Sequence, residues 1–411
     1  MDASTKLIIA TQFYPPDAST TAVYLGKIAE GLAAENKVTV ISATPNSSSC
    51  GANAAKNPAA IEVRSWNPKK SALIKRGIAV CVLAVRMFFS IVKRTRSKDI
   101  VFCVTTPFTL PYAVVLAAKL RRATTMLLIY DLYPEALEAA GFVKSTSIAA
   151  RLLRFANTHL FRHLDAIVVI GRDVPPLLAR YPGVAPGKIH LIPNWVLLPI
   201  GYREIDPCNR FRMRLSSKFI VGLSGNLGFT HSPATVFEAA KLLRSEQDIH
   251  FILSGWGVGW KELNDLVARE RLDNVTMLNP VPHEELIEFL SAADVWVIPY
   301  RRNVAGVSIP SRLYNLLAVG RPVIVAAESH SEAAIELSEE AIGWVVPPED
   351  PQQLAQTIRE AATDRRATNQ KGLRAAVVAQ KYSEEAALVR YREVVSALKK
   401  GAIASARSPS V

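Results

Sequence analysis

Phe219-Ile220-Val221-Gly222-Leu223-Ser224-Gly225-Asn226-Leu227-Gly228 reads as a short apolar strand running into a glycine-rich turn. A helical pattern follows at Ala234–Arg244 and a second apolar run at His250–Ser254, so the stretch opens a strand–helix–strand unit. The same rhythm continues downstream, with strands expected at Val275–Leu278, Val295–Ile298, Pro322–Ala326 and Gly343–Val346. Helices are expected at Gly259–Arg271, Glu284–Ala292, Ser311–Ala318 and Pro351–Thr363, then near Arg366–Lys381 and Ser383–Lys399.

The first half repeats the pattern. Strands are expected at Lys6–Thr11, Lys37–Ser42, Ile61–Trp66, Asp99–Val104, Thr124–Tyr130, Asp165–Ile170 and Lys188–Ile192. Helices fit Thr21–Ala34, Ala72–Thr95, Leu110–Leu120 and Ser147–His163. Such alternation marks parallel sheets wrapped by helices, and 411 residues are too many for one ordinary core. The stretch from Trp195 to Asn209 carries Pro199 and Pro207 and reads as an interdomain linker. The expected class is therefore α/β, with two Rossmann-like doubly wound domains at 1–198 and 199–381, a final helix at 382–400 and a flexible tail at 401–411.

The four cysteines (Cys50, Cys81, Cys103 and Cys208) have no CxxC or ligand spacing and read as buried apolar residues, not as a disulfide framework or zinc site. The net charge is +13, and it is concentrated. Between Arg64 and Tyr130 lie thirteen lysines and arginines against one acid, Asp99. Such a segment seeks an anionic partner, whether a membrane, a nucleic acid or a phosphorylated substrate. Aromatic residues suited to stacking on RNA are absent, and the cations flank an apolar helical run, so an anionic membrane surface is expected rather than a nucleic acid. The sixteen residues between Arg76 and Lys93, broken by Arg86, are too few to span a bilayer, so the helix would lie in or on the interface; the alternative is a mostly core helix with solvated basic ends. With no secretory pattern at Met1–Lys6, a cytoplasmic protein bound peripherally to the inner membrane face is expected, as a monomer or weak oligomer.

In doubly wound sheets ligands gather beyond the carboxyl ends of strands, and the candidate motifs fall there. Gly225 and Gly228 allow tight turning and close approach of backbone to a phosphate, while Asn226 offers amide donors. Gly255-Trp256-Gly257-Val258-Gly259 ends the next strand in the same way; taken singly, either loop could be an ordinary turn. In Gly306–Ile324, Pro310 and Ser311 start a helix whose free N–H groups suit a diphosphate, and Arg312 adds a cation at the same end. Gly320-Arg321-Pro322 stops that helix.

Together with Ile192-Pro193-Asn194-Trp195, Phe13-Tyr14-Pro15-Pro16, Asp131-Leu132-Tyr133-Pro134-Glu135, Asn279–Leu286 and Ala292-Ala293-Asp294-Val295, these motifs resemble a family 4 retaining glycosyltransferase of GT-B fold. Within that family the resemblance is to the bacterial enzymes of capsule, O-antigen and exopolysaccharide assembly. It runs in order from about residue 6 to 398. It implies two domains facing across a cleft, with the last helix crossing back onto the first. The second domain would bind the nucleotide sugar, with uridine the commoner base, through Gly225, Asn226, Gly228 and Gly255. Backbone groups around Val281–His283 would read the base, and Pro310, Ser311, Arg312, Tyr314 and Asn315 would complete the donor side. The first domain would take a polyprenyl-linked or other saccharide acceptor at Tyr14, Pro15 and Asp17, with Asp131 and, more weakly, Glu135.

One departure stands out. The family commonly carries two glutamates eight residues apart beside the donor; here those positions are Val307 and Asn315. Asn315 can hydrogen-bond a hydroxyl but cannot act as a carboxylate. No Asp-x-Asp or His/carboxylate cluster appears, so no metal or other cofactor is expected, and Arg312 with the loop N–H groups would stabilise the leaving diphosphate. Asp131 is the candidate for orienting or deprotonating the acceptor hydroxyl; the alternative is that it caps the following turn. His231 and His283 read as surface or structural residues. Two rival functions are a non-catalytic nucleotide-sugar-binding partner in polysaccharide assembly, motivated by the missing glutamates, and a nucleotide-sugar epimerase on the same fold.

Overall fold

The apolar runs of the first half form seven parallel strands: β1 (Lys6–Thr11), β2 (Lys37–Ala43), β3 (Ala59–Val63), β4 (Ile100–Val104), β5 (Thr124–Ile129), β6 (Ala166–Val169) and β7 (Ile189–Leu191). The computed structural model describes residues 5–17, 19–45, 57–66, 73–215 and 217–401. Cys50, Lys69, Lys70 and the tail beyond Gly401 lie outside them. The strands order as β3-β2-β1-β4-β5-β6-β7, so the direction of winding reverses between β1 and β4. The helices of this half are α1 (Thr20–Ala33), α2 (Leu73–Arg94), α3 (Leu110–Arg121), α4 (Glu135–Ala139), α5 (Ile148–Arg162) and α6 (Val174–Leu178).

The second half contributes six parallel strands: β8 (Phe219–Asn226), β9 (Ile249–Trp256), β10 (Val275–Leu278), β11 (Val295–Pro299), β12 (Val323–Ala326) and β13 (Gly343–Val346). They order as β10-β9-β8-β11-β12-β13, again with a reversal, between β8 and β11. Around them run α7 (Pro233–Leu242), α8 (Val258–Glu270), α9 (Leu286–Ala292), α10 (Ser311–Ala318), α11 (Glu332–Glu339), α12 (Pro351–Thr363) and α13 (Arg365–Val378), and the chain continues into α14 (Glu384–Lys399). Both faces of this sheet are covered by separate apolar clusters. On one face Trp296 is fully buried, and its ring lies so close to Gly222 that any Cβ there would overlap it.

Two units result. One comprises Met1–Pro134, Ser145–Pro193 and Glu385–Val411, the other Glu135–Lys144 and Asn194–Glu384. The last helix therefore belongs with the first sheet, where Tyr391 is buried 6.2 Å from the ring of Phe102 and Leu388 lies against Gly31. The division differs from a cut at 198: it falls at Pro193, and Glu135–Lys144 joins the second unit. The supposed linker is a packed strap. Trp195 is 1% exposed, Val196 N–H donates to Tyr382 O (3.0 Å) and Gly201 N–H to Ala318 O (2.9 Å), so its polar backbone is satisfied against the second unit. Of the cysteines, Cys103 is buried as expected, but Cys81 and Cys208 are exposed, Cys81 because it lies on the outer side of α2.

A recurrent device fixes strand starts. Asp99 accepts from Lys6 N (3.0 Å) and Arg96 N (2.7 Å), Asp165 from Thr125 N (2.8 Å), and Asp294 from Ile220 N (2.7 Å). Each carboxylate satisfies an N–H within the first two residues of a neighbouring strand, the first in β1 and the second in β5 and β8. Arg212, 2% exposed, completes the third: its guanidinium donates to Asp294 (2.7 Å), Ala292 O (2.9 Å) and Lys218 O (2.8 Å). Arg212→Met is expected to cost about 3–5 kcal/mol in chemical denaturation, because Asp294 and two carbonyls lose their buried partner together. A loss under about 1 kcal/mol would show that the pair is not structural.

No helix among the described residues is long and apolar enough to cross a membrane.

Candidate functional site

The reversal between β8 and β11 is where an open α/β sheet leaves room at its carboxyl edge. There Gly225 has φ +95° and pairs in register with Gly255 of β9, whose added Cβ would collide with the Gly225 carbonyl. The two glycine turns are thus one piece of backbone. Leu227 N–H donates to Trp256 O (2.8 Å) and Gly259 N–H to Leu227 O (2.9 Å). Gly257 has φ +102°, and a Cβ there would meet Asn226 Oδ1 and lie 2.7 Å from Leu227 O. Asn226 itself is exposed, with its amide 3.6 Å from the Cβ position of Gly228. Gly257→Ala is expected to destabilise the fold by about 1–3 kcal/mol, read by thermal unfolding; an unchanged melting temperature would count against a locked loop.

Arg312 reaches this loop from the first turn of α10. Its Nη1 donates to Ser224 O (2.7 Å), and its Nη2 donates to Asn226 O and to Nε2 of His231 (3.3 Å). All three acceptors are neutral. Burial pulls the guanidinium down to about 10, so it stays protonated at neutral pH, and among the described residues no acidic side chain pairs with it. The helix begins at Pro310 without a side-chain cap, leaving the Ser311 end amide-rich. His231 is 7% exposed and stacks on Tyr300 at 5.0 Å. Burial, and then the charge of Arg312, hold its pKa far below the usual value. A neutral ring can accept from Arg312 through Nε2, which places the ring hydrogen on Nδ1, 3.3 Å from Thr230 Oγ1. The structural reading of His231 is thus kept and the surface reading is not. Its part in holding Arg312 was not foreseen; the only sequence signal was its place between the glycine turn and the start of α7.

The other expected donor residues are spread more widely. Val281 is half-buried against the apolar cluster that contains Trp296, and His283 is exposed at the head of a short 3₁₀ turn. Their loop is held by Ser254 Oγ, which donates to Asn279 O (2.9 Å). Tyr314 is buried edge-on against Tyr382 (4.9 Å). At the two positions where glutamates were looked for, Val307 is buried and Asn315 Oδ1 accepts Leu197 N–H of the strap (3.1 Å).

In the first unit the reversal lies between β1 and β4. Beyond β1, Tyr14 is half-buried and raised to about 12 by burial and then by Glu30; Pro15 is exposed over Gly26. Asp17 Oδ1 accepts Ser19 N–H (3.0 Å) and Asp17 N–H donates to Tyr14 O (3.0 Å), so this aspartate shapes the turn before α1. Asp131 follows β5. Thr105 Oγ1 accepts the N–H groups of both Tyr130 (3.1 Å) and Asp131 (3.2 Å), fixing the backbone beneath the carboxylate. Burial pushes Asp131 up to about 6. Glu135 is 9% exposed and heads α4, which belongs to the second unit, so the division passes between the two carboxylates.

Two family models cover most of the chain: "Glycosyl transferase 4-like domain" over residues 19–195 and "Glycosyl transferases group 1" over residues 209–378. The chain is 27% identical over 333 residues to "Probable glycosyltransferase WbjE" of Pseudomonas aeruginosa, covering 80% of this chain and 82% of that one. It is 28% identical over 378 residues to "Putative colanic acid biosynthesis glycosyl transferase WcaI" of Escherichia coli, covering 87% and 92%. Among solved structures, Anabaena Alr3699/HepE in complex with UDP and glucose superposes with a TM-score of 0.72 at 16% identity, covering 96% of this chain and all of that one. With both halves matched in order, and with two doubly wound parallel sheets, the chain belongs to the family 4 glycosyltransferases of GT-B fold.

Proposed function

We propose that the enzyme transfers a sugar from a UDP-sugar to a lipid-linked saccharide acceptor in cell-surface polysaccharide assembly, with retention at the anomeric carbon and without a metal ion. The observation that carries the donor half is Arg312: a desolvated cation held, among the described residues, by neutral acceptors, beside the amide-rich start of α10 and a glycine backbone. A diphosphate supplies the missing counter-charge. The UDP and glucose in complex with HepE, and the colanic acid biosynthesis in the name of WcaI, support the choice of donor and pathway class.

In the reaction, the bond from the anomeric carbon to the β-phosphate oxygen breaks, and UDP departs with the electron pair. The acceptor oxygen bonds to the same carbon on the same face. The proton of the acceptor hydroxyl passes to Asp131, whose raised pKa suits it to accept a proton near neutrality. Negative charge growing on the diphosphate is met by Arg312 and the N–H groups of Ser311 and the 225–228 turn.

Purified enzyme incubated with UDP-sugars and a membrane lipid extract should release UDP only when both are present. The anomeric configuration of the product, read by NMR, should match the donor. Release of no UDP with any donor would leave a binding protein, and conversion of the donor without acceptor would indicate an epimerase.

A further inference from the structure

In the first unit β3, β4, β5 and β6 succeed one another in one direction across the sheet, except that the first step passes over β2 and β1. Right-handed crossovers therefore put α2, α3 and α5 on the same face. They form one layer: Thr109 Oγ1, just before α3, donates to Val80 O of α2 (3.2 Å), and Tyr112 OH of α3 donates to Asn157 Oδ1 of α5 (2.5 Å). Parallel topology also places the first residues of α3 and α5 at the edge of the sheet that carries Asp131.

The outer surface of this layer is apolar. On α5, Ile148, Leu152 and Phe155 follow helical spacing and are 75%, 63% and 66% exposed. On α3, Leu116 and Leu120 are 61% and 64% exposed, and on α2, Val85 and Phe89 are 56% and 65%. Exposed apolar side chains scattered singly are ordinary, but a set shared by three adjacent helices is not.

The charge of the layer says what covers it. The three helices hold ten lysines and arginines, five in α2, two in α3 and three in α5, and not one aspartate or glutamate. By contrast α1 and α14 mix both signs. A second copy of the chain would set these cations against their own kind. An anionic lipid surface takes both components, with apolar side chains entering the acyl boundary and long basic ones reaching the headgroups.

We infer that the outer face of α2, α3 and α5 is a docking plane for an anionic bilayer. The segment flagged by the sequence supplies only part of it; α5, beyond the basic run, carries the most exposed apolar stripe. The inference stands apart from the chemistry assigned to Arg312 and Asp131.

The test is flotation of the full chain with vesicles of phosphatidylcholine containing a quarter phosphatidylglycerol, against phosphatidylcholine alone. Wild type should partition at least tenfold more strongly to the anionic vesicles. Leu152→Ser combined with Phe155→Ser should lower that partition at least tenfold, with circular dichroism and melting temperature retained because both side chains are mostly in solvent. Lys119→Gln combined with Arg151→Gln should lower it severalfold, less so in 1 M salt. No flotation of wild type, equal flotation on both vesicle types, or unchanged flotation of the Leu152/Phe155 variant would each overturn the inference. So would a wild-type dimer in lipid-free buffer that the same variant dissolves. UDP titration of these variants reads the second unit separately, so the failure of one reading is told apart from failure of the other.

Discussion

Arg312→Ala is expected to weaken UDP binding by about 10²–10³-fold in calorimetric titration, with a matching fall in kcat/KM. Two or more charge-assisted hydrogen bonds of about 1.5–3 kcal/mol each are lost to a diphosphate. The loop also loses a brace, because the guanidinium now ties Ser224 O to Asn226 O. Arg312→Lys separates the two effects: it keeps the charge but not the planar fork, and should fall between wild type and alanine. UDP affinity within twofold of wild type in the alanine variant would remove Arg312 from the donor site, and the proposed mechanism with it.

Asp131→Asn should lower turnover about 10²–10⁴-fold while leaving UDP affinity intact. The same substitution should stabilise the protein near pH 7.5. Burial raises the folded-state pKa from 3.8 to about 6, so ionising the carboxyl costs more in the folded chain than in the unfolded one. Below the unfolded value both states are protonated and the penalty vanishes; it grows as pH rises and is complete above about 6. Two pKa units correspond to about 3 kcal/mol, an upper bound for a half-buried group. Thermal unfolding of the variant should therefore show a gain at pH 7.5 that fades by pH 4. Wild-type turnover, for its part, should climb through pH 6 as the base loses its proton. Normal turnover in the asparagine variant would clear Asp131 of proton transfer.

Much of the scaffold could be read from the chain because apolar runs in a doubly covered parallel sheet are hard to mistake. Every expected strand formed, and the bounds that moved were set by neighbours. β3 occupies Ala59–Val63 rather than Ile61–Trp66 because its ladder partner β2 ends at Ala43, opposite Val63. α11 was missed, although a parallel β12 and β13 require a crossover between them, and Ser331 caps it by accepting Ala334 N–H. The stretch from Trp195 to Asn209 was read as a linker because its prolines are local signals, whereas the burial of Trp195 and the bond from Leu197 to Asn315 arise only after folding. The glycine turns at the ends of β8 and β9 and the position of Arg312 in the first turn of α10 were legible from composition at strand and helix ends. The coupling of Arg312 to His231, eighty-one residues away, was not, since no local pattern encodes a contact at that separation.

The route of the backbone between the two units carries a consequence for how the enzyme comes apart. The chain passes from one to the other at Pro134, Lys144, Pro193 and Glu384, so neither is a continuous piece of polypeptide. A fragment ending at residue 193 would lack Tyr391 and Leu388, which fill the first unit from the far end of the chain, and would carry residues 135–144 stripped of their neighbours. Splitting the gene at the obvious midpoint should therefore yield an insoluble amino-terminal half, and co-expression of the two pieces should rescue it.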